Sequence, residues 1–191
     1  MRSLRDTTHA LDLGLAEIRT QFDVPEHFPP EVMAAAAAAA HREPTAHADL
    51  TSIPFVTLDP ATSTDLDQAF WIEPAGSDLL LHYAIADVAW FVDGDSPLDA
   101  EAWRRGTTIY LPDGKAGVYP PVLAEGAASL LPDGPRPAVL WTIDVDGSGE
   151  TTAIDVARAM VRSRSQLTYT EVQRSVEAGT VAAPLESLAD L

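Results

Sequence analysis

The first fifty residues carry a hydrophobic pattern with helical spacing. Apolar side chains recur there at intervals of three and four residues: Leu11, Leu15, Ile18 and Phe22. This spacing predicts a short amphipathic helix over residues 9–22. Pro30 suits the first turn of a second helix, which runs through the alanines of residues 34–40 and buries little surface. The pattern therefore predicts a short helical N-terminal extension over residues 1–50.

From residue 51 onward, short apolar runs alternate with turn residues, which is typical of strands in a sheet. The runs predict strands over residues 53–58, 69–72, 79–86, 107–111, 137–145 and 150–164. Prolines and capping residues predict helices over residues 97–105, 122–131 and 168–178. Residues 79–86 are almost all apolar, which predicts a central strand buried on both faces. Strands in runs, with helices between some of them, predict an α+β domain with a mixed β-sheet and flanking helices.

Composition narrows the class of protein. The sequence of 191 residues is 46% hydrophobic, has no cysteine and contains no apolar run of about 18 residues. These features exclude disulfides, thiolate zinc sites, a cysteine nucleophile and a membrane-spanning helix. The first residues lack the apolar stretch of a secretion signal, so we expect a cytoplasmic protein. The net charge of −17 repels nucleic acid, so any polyanion must be bound locally through a metal or a basic cluster.

Histidines and basic residues give weaker indications. His41 and His47 lack the further ligands that a zinc site needs, so a solvated turn is the favoured interpretation. His82 lies inside a predicted strand and is expected to be packed with both ring nitrogens hydrogen-bonded. Several basic residues could contact phosphate: Arg104, Arg105, Lys115, Arg136, Arg158, Arg162 and Arg164. A regular strand would place the last three on one face, for which a solvated surface is the favoured interpretation.

Candidate chemistry concentrates in residues 59–67, which we call the acid loop. Asp59, Asp65 and Asp67 lie there within nine residues, between two predicted strands. Carboxylates this close repel one another unless a cation joins them, and a hard divalent cation with oxygen ligands is the favoured partner. In an extended loop Asp65 and Asp67 point the same way while Leu66 faces the core. Metal-assisted phosphodiester hydrolysis is the natural chemistry, with a phosphatase, a structural cation or a plain surface loop as alternatives.

Five ordered motifs carry a resemblance to a known family. The first two are DPATSTDLDQA at residues 59–69 and LHYAIADVA at residues 81–89. The next are RGTTIYLP at residues 105–112, LAEGAASL at 123–130 and RSRSQLTY at 162–169. In this order they resemble the ribonuclease II, or RNB, family of exoribonucleases over residues 50–178. The resemblance implies that residues 51–191 are the N-terminal part of an RNB-type catalytic domain.

The resemblance also implies an activity. It predicts a metal-dependent 3′-to-5′ exoribonuclease that hydrolyses single-stranded RNA, not DNA, to nucleoside 5′-monophosphates with Mg²⁺ or Mn²⁺. Asp59, Asp65 and Asp67 match three of the family's four active-site aspartates, and Asp67 matches the indispensable one. The fourth position is Gln68, whose amide oxygen can bind a hard cation without contributing charge. Tyr110 matches the aromatic on which the family stacks a base near the 3′ end, with an ordinary strand tyrosine as the alternative.

Two further departures from the family pattern concern parts of the protein that this chain lacks. Only about 50 residues, predicted to be helical, precede the acid loop, where larger members of the family have cold-shock-type β-barrels. The later arginine, glutamate and second aromatic clamp of the family's site have no candidate here, so the catalytic domain is predicted to be incomplete. The absent second half and Gln68 favour, for this chain as it stands, the alternative of a truncated or degenerate homologue that binds RNA or a protein without cutting. The motif set favours the exoribonuclease for the parent protein. An incomplete sheet should expose apolar surface, so we expect association or a partner, with the oligomeric state undefined.

Overall fold

The computed structural model describes residues 10–181 and 184–186. Its strands are β1 (Ala48–Asp49), β2 (Val56–Leu58), β3 (Gln68–Ala75), β4 (Asp78–Ala86), β5 (Ile109–Leu111), β6 (Gly114–Ala116), β7 (Arg136–Val145), β8 (Thr151–Val161) and β9 (Ser165–Leu167). Its helices are α1 (Ala10–Gln21), α2 (Pro30–Ala39), α3 (Pro97–Arg105) and α4 (Tyr169–Ala178), with a 3₁₀ turn at Val88–Trp90 and a π-helical turn at Leu123–Ala127. The outer ends of the two predicted domains, residues 1–9 and 187–191, lie outside the described residues.

Within the described part of the chain, one mixed sheet has the strand order β1-β8-β7-β4-β3-β2-β9. Strands β3, β4, β7 and β8 run antiparallel through its centre. Parallel pairs of β1 with β8 and of β2 with β9 complete its two edges. Two hairpin turns produce this central order: Gly76 adopts φ +75° after β3, and Asp146 Oδ1 accepts the Ser148 amide hydrogen bond at 2.8 Å after β7. The predicted α+β class with a mixed sheet and flanking helices is confirmed.

Two apolar cores hold the elements together. The main core lies on one face of the sheet and contains Phe55, Leu66, Ala84, Leu130, Leu140 and Val161. A second core joins α2, α3 and the π-helical turn through Val32, Ala36, Phe91, Leu98 and Leu123. The alanine-rich helix α2 therefore packs as a covering element, because small side chains let it approach α3 closely. No helix in the described ranges is long and apolar enough to cross a membrane.

The other face of the sheet is apolar and partly exposed to solvent. Its exposed members are Ile85 on β4, Trp141 on β7, and Ile154 and Val156 on β8, and we call these four residues the apolar sheet face. Trp141 pairs directly with Val156, and Ile85 pairs with Val139 one strand over, so the residues share one side of the sheet. The prediction that the strand of residues 79–86 is buried on both faces is wrong at Ile85, whose side chain is 39% exposed because it borders an open cavity.

Four predicted elements are shorter than the sequence pattern suggests. The strands predicted over residues 53–58 and 107–111 are reduced to β2 and β5, and two further elements end early because of tertiary contacts. The returning strand over residues 150–164 ends at Val161, and the chain then turns to form β9 beside β2. The turn is fixed because the Arg164 amide donates to Phe55 O at 2.7 Å, so the predicted single face with three arginines does not form. The predicted helix over residues 122–131 is reduced to one π-helical turn, after which Leu130 bonds to Leu66. Tertiary hydrogen bonds decide both endings.

The structure corrects the interpretation of two histidines. The His47 side chain is 0% exposed, its Nε2 lies 3.0 Å from Asp87 Oδ2, and its ring packs edge-on against Trp90, so it does not lie in a solvated turn. The reason is that Asp87 directly follows β4 inside the fold, where a buried carboxylate needs partners. Arg158 is a second partner, with its Nε 3.0 Å from Asp87 Oδ2, so its interpretation as a solvated surface residue is also corrected. His82 is buried as expected, with Nε2 3.2 Å from Glu73 Oε1. Its Nδ1 has no hydrogen-bond partner among the described residues, so only one ring nitrogen is satisfied.

Candidate active site

The acid loop joins the end of β2 to the start of β3 and is anchored at its centre. Leu66 is fully buried in the main core, as predicted, and its carbonyl accepts the Leu130 amide hydrogen bond at 2.7 Å. The buried Ser129 hydroxyl accepts the Leu66 amide at 2.9 Å and donates to Thr64 O at 2.7 Å. Because Leu66 points inward and its backbone is held on both sides, the neighbouring Asp65 and Asp67 are turned outward. Asp67 is exposed and Asp65 is partly exposed.

The three carboxylates of the acid loop influence one another electrostatically. Burial, followed by the negative charges of Asp67 and Asp65, raises the pKa of Asp59 above its ordinary value. Among the described residues, however, no group of three His, Asp or Glu side chains is arranged to hold a metal ion. The donor set nevertheless fits a hard divalent cation in kind, because it offers carboxylate oxygens whose mutual repulsion a cation would relieve.

Gln68 begins β3 directly after the acid loop. Its Oε1 accepts a hydrogen bond from the Tyr83 hydroxyl of β4, the neighbouring strand. Burial and the charge of Asp67 raise the pKa of Tyr83, so the hydroxyl remains a neutral donor. The amide oxygen that the sequence offered as a cation ligand therefore already has a partner inside the protein.

A cavity of about 350 Å³ opens beside the outward face of the acid loop. Its lining includes Asp65, Asp67, Thr108, Tyr110 and Tyr119. Tyr110 is 73% exposed, so its ring is available to a ligand. The structure thus brings three of the sequence-predicted site residues to one cavity. Asp59 and Gln68 are not among the described residues that line it.

Lys115 and Glu125 are close neighbours of the site whose contacts the sequence did not reveal. The Lys115 ammonium lies 2.9 Å from Asp65 Oδ2 and 2.9 Å from Glu125 Oε1. Glu125 Oε2 in turn accepts a hydrogen bond from the Thr64 hydroxyl at 3.0 Å. Lys115 was only one of several basic candidates, yet it is the only lysine in the sequence. The presence of a single lysine was the one indication that the sequence offered, and it did not indicate a contact with Asp65.

Fold and acid loop together define an α+β domain with a carboxylate-rich cavity beside its central sheet. A model of the RNB domain matches residues 47–191, so the chain belongs to the RNB family. This confirms the predicted resemblance. The predicted boundary between residues 50 and 51 and the roles of the individual site residues stay predictions.

Three named relatives are similar to this chain over segments of 125 to 155 residues. Ribonuclease R of Acidithiobacillus ferrooxidans is 33% identical over 155 residues, which cover 79% of this chain and 35% of that protein. Ribonuclease R of Escherichia coli strain K12 is 37% identical over 125 residues, which cover 65% of this chain and 15% of that protein. Exoribonuclease 2 of Erwinia tasmaniensis is 40% identical over 134 residues, which cover 69% of this chain and 21% of that protein. The chain therefore spans about a third or less of the length of these relatives.

Solved structures agree with the family. Mycoplasma genitalium RNase R in complex with ribose methylated single-stranded RNA superposes with a TM-score of 0.82 at 26% identity, covering 93% of this chain and 29% of that chain. Yeast Ssd1, a pseudonuclease, superposes with a TM-score of 0.64 at 15% identity, covering 74% of this chain and 18% of that chain. The second likeness shows the fold alone.

Proposed function

We propose that the chain is the acid-loop portion of a metal-dependent exoribonuclease that degrades single-stranded RNA from its 3′ end. The proposal rests on one observation above all: Asp65, Asp67 and Tyr110 line the same cavity. Carboxylates that can hold a cation and an exposed ring that can stack a base are then within reach of one nucleotide. Relatives named Ribonuclease R and Exoribonuclease 2 support this proposal, because RNA degradation is the activity that their names state and that carboxylates and an exposed ring could serve.

Each residue receives a role in the proposal. Asp59, Asp65 and Asp67 would hold Mg²⁺ or Mn²⁺ through hard carboxylate oxygens. When bound, such a cation supplies Lewis-acid polarisation of the phosphodiester group. Tyr110 stacks a base near the 3′ end, an interaction worth about 1–3 kcal/mol that tolerates any sequence. Gln68 adds no negative charge, so we propose weaker cation binding than a fourth aspartate would give.

The product and the location follow from the same proposal. Hydrolysis at the terminal phosphodiester would release nucleoside 5′-monophosphates. We propose a cytoplasmic enzyme that acts on RNA and not on DNA.

Degradation of labelled RNA tests the proposal. The full-length protein that contains this chain should shorten a 5′-labelled single-stranded RNA stepwise with Mg²⁺ or Mn²⁺, should stop when the cation is chelated, and should leave the matching DNA intact. Asp67→Asn should reduce the rate at least about a hundredfold, because it removes a charged ligand of the cation that would polarise the phosphodiester, and the loss of one such electrostatic contribution has that scale. Asp155→Asn, at an exposed carboxylate on β8, is the matched control and should retain the full rate. Full activity of Asp67→Asn would overturn the assignment.

A second candidate is a non-catalytic RNA-binding module. Two contacts favour it: Lys115 already engages Asp65, and Tyr83 already engages Gln68. The same assay separates the two candidates, because a binding module retains labelled RNA on a filter without shortening it under any cation.

A further inference from the structure

Tyr110, which would stack an RNA base, and Lys115 lie on a small β-ribbon outside the main sheet. Strands β5 and β6 pair only with each other in the described part of the chain, and we call them the ribbon. Tyr110 on β5 and Lys115 on β6 are direct cross-strand partners. Directly opposed residues project from the same face of an antiparallel pair. The exposed ring and the ammonium therefore move together.

Few contacts fix the ribbon to the rest of the protein. Asp113 in its turn lies 2.7 Å from the Arg19 guanidinium of α1, and Gly117 just beyond β6 accepts a hydrogen bond from Arg105 at 3.0 Å. Among the described residues, a further polar attachment is Lys115 with Asp65 and Glu125. The Arg19 pair is partly solvated, so water weakens its attraction. Lys115 is the attachment that leads to the acid loop.

Lys115 closes a ring of polar contacts around that loop. Its ammonium meets Asp65 Oδ2 and Glu125 Oε1, and Glu125 Oε2 accepts from the hydroxyl of Thr64, the residue before Asp65. The Lys115 side chain is 29% exposed, so water screens these contacts only in part. A compact ammonium can satisfy two carboxylates at once and still turn with the loop.

We propose that Lys115 is a positioning residue that ties the ribbon to the acid loop and so fixes Tyr110 relative to Asp65 and Asp67. The inference rests on the proposed function, since it concerns how a base on Tyr110 is held beside the carboxylates. An ion pair between the two halves of the site sets their separation before RNA binds, which removes an ordering step from binding.

A double-mutant cycle on RNA binding tests the proposal. All variants carry Asp67→Asn, so that the RNA is not degraded during the measurement. In this background, Lys115→Met should weaken binding of a short single-stranded RNA about fivefold to tenfold, and Tyr110→Ala should weaken it somewhat more. The double variant should bind no more weakly than Tyr110→Ala alone, because Lys115 acts through the tyrosine. Lys115→Arg should recover most of the affinity. Arg42→Met, which removes a distant ion pair with Asp93, is the matched control and should leave binding unchanged.

Salt dependence separates positioning from direct contact with RNA. A lysine that neutralises one phosphate contributes about 0.7 to the slope of log affinity against log salt on a single strand. Lys115→Met should leave that slope unchanged. A slope reduced by about this amount, or additive losses in the double variant, would overturn the positioning role.

A second measurement needs no RNA. Because Lys115 is the only lysine in the sequence, its acylation by an amine reagent can be followed on a single peptide by mass spectrometry. Asp65→Asn and Glu125→Gln should each speed that acylation severalfold, whereas Asp155→Asn should not. An unchanged acylation rate in the Asp65→Asn and Glu125→Gln variants would show that these contacts do not hold Lys115, and it would contradict the inference. Failure of the Asp67→Asn chain to bind any RNA would instead overturn the proposed function. The acylation rate of Lys115 would still show whether Asp65 and Glu125 hold its side chain.

Discussion

Glu101 shows how one carboxylate can hold two arginines and, through them, several elements. Its oxygens accept hydrogen bonds from Arg104 at 2.6 and 2.7 Å and from Arg105 at 2.7 Å. These guanidinium groups, Arg104 first, lower the pKa of Glu101 to about 2 despite its burial. Arg105 also donates to His27 O, and its guanidinium lies 3.6 Å from the Phe28 ring centroid. Glu101 therefore orients the residue that joins the N-terminal extension to α3.

Neutralising Glu101 should lower stability in a pH-dependent way. The folded pKa lies below the ordinary value of 4.5, so the stabilisation is fully present above about pH 4.5 and is lost as the pH falls towards 2. At pH 7, Glu101→Gln should reduce the free energy of unfolding by about 1.5–3 kcal/mol, the scale of hydrogen bonds to charged groups. Urea denaturation at several pH values measures this difference.

The matched control for Glu101 is Asp133, an exposed carboxylate that lies 2.6 Å from Arg136. Asp133→Asn should change the free energy of unfolding by about 0–1 kcal/mol at pH 7. Equal effects of the two substitutions, or an effect of Glu101→Gln that persists unchanged at the lowest pH, would contradict the assigned role of the ion pair.

At the scale of elements, the π-helical turn and the residues after it act as a clamp on the acid loop. Ser129 is the central contact, since its hydroxyl accepts from the Leu66 amide and donates to Thr64 O. A hydroxyl that serves both roles in a buried position leaves two backbone groups unpaired when it is removed.

Ser129→Ala should therefore lower the free energy of unfolding by about 1–3 kcal/mol and should speed hydrogen exchange of the Leu66 amide. Ser163→Ala is the matched control, because Ser163 is also buried but makes one hydrogen bond, to Ser165 O at 3.2 Å. Thermal unfolding and exchange followed by mass spectrometry measure both effects. Similar exchange at Leu66 in the two variants would contradict the clamp.

Local pattern predicted most elements but not their ends. Periodicity and capping residues identified the helix behind Ser96 and the strands of the central hairpins, because those signals are local. The end of β8 at Val161 and the π-helical turn depend on hydrogen bonds to Phe55 and Leu66, which are distant in sequence. No single-sequence pattern encodes such partners, so these elements were predicted too long.

The candidate site divides in the same way. Spacing predicted that Leu66 faces the core, and the RNB family is confirmed by the match over residues 47–191. The contacts of Lys115 with Asp65 join positions fifty residues apart in sequence, and those of Tyr83 with Gln68 join neighbouring strands. Such pairs follow from topology, so only the folded chain reveals them. Buried His47 was missed for the same reason, since its partner Asp87 lies forty residues away.

At the scale of the whole molecule, charge and apolar surface act in opposite directions. The net charge of −17 keeps copies of the chain apart at low ionic strength. The apolar sheet face favours their contact, since Ile154 alone is 57% exposed and Trp141 and Val156 lie beside it. Salt screens the repulsion without weakening the apolar attraction. Association should therefore grow as the salt concentration rises.

We predict that the chain self-associates through the apolar sheet face when its charge is screened. A double variant, Ile154→Lys with Val156→Thr, should weaken association about tenfold or more, because each apolar side chain left in water forfeits about 1.5–3 kcal/mol. Trp103→Lys is the matched control, since Trp103 is exposed on α3 away from this face. Sedimentation velocity over a range of protein and salt concentrations measures the effect. A chain that stays monomeric throughout, or a control variant that dissociates as readily as the double variant, would show that this face is not the contact.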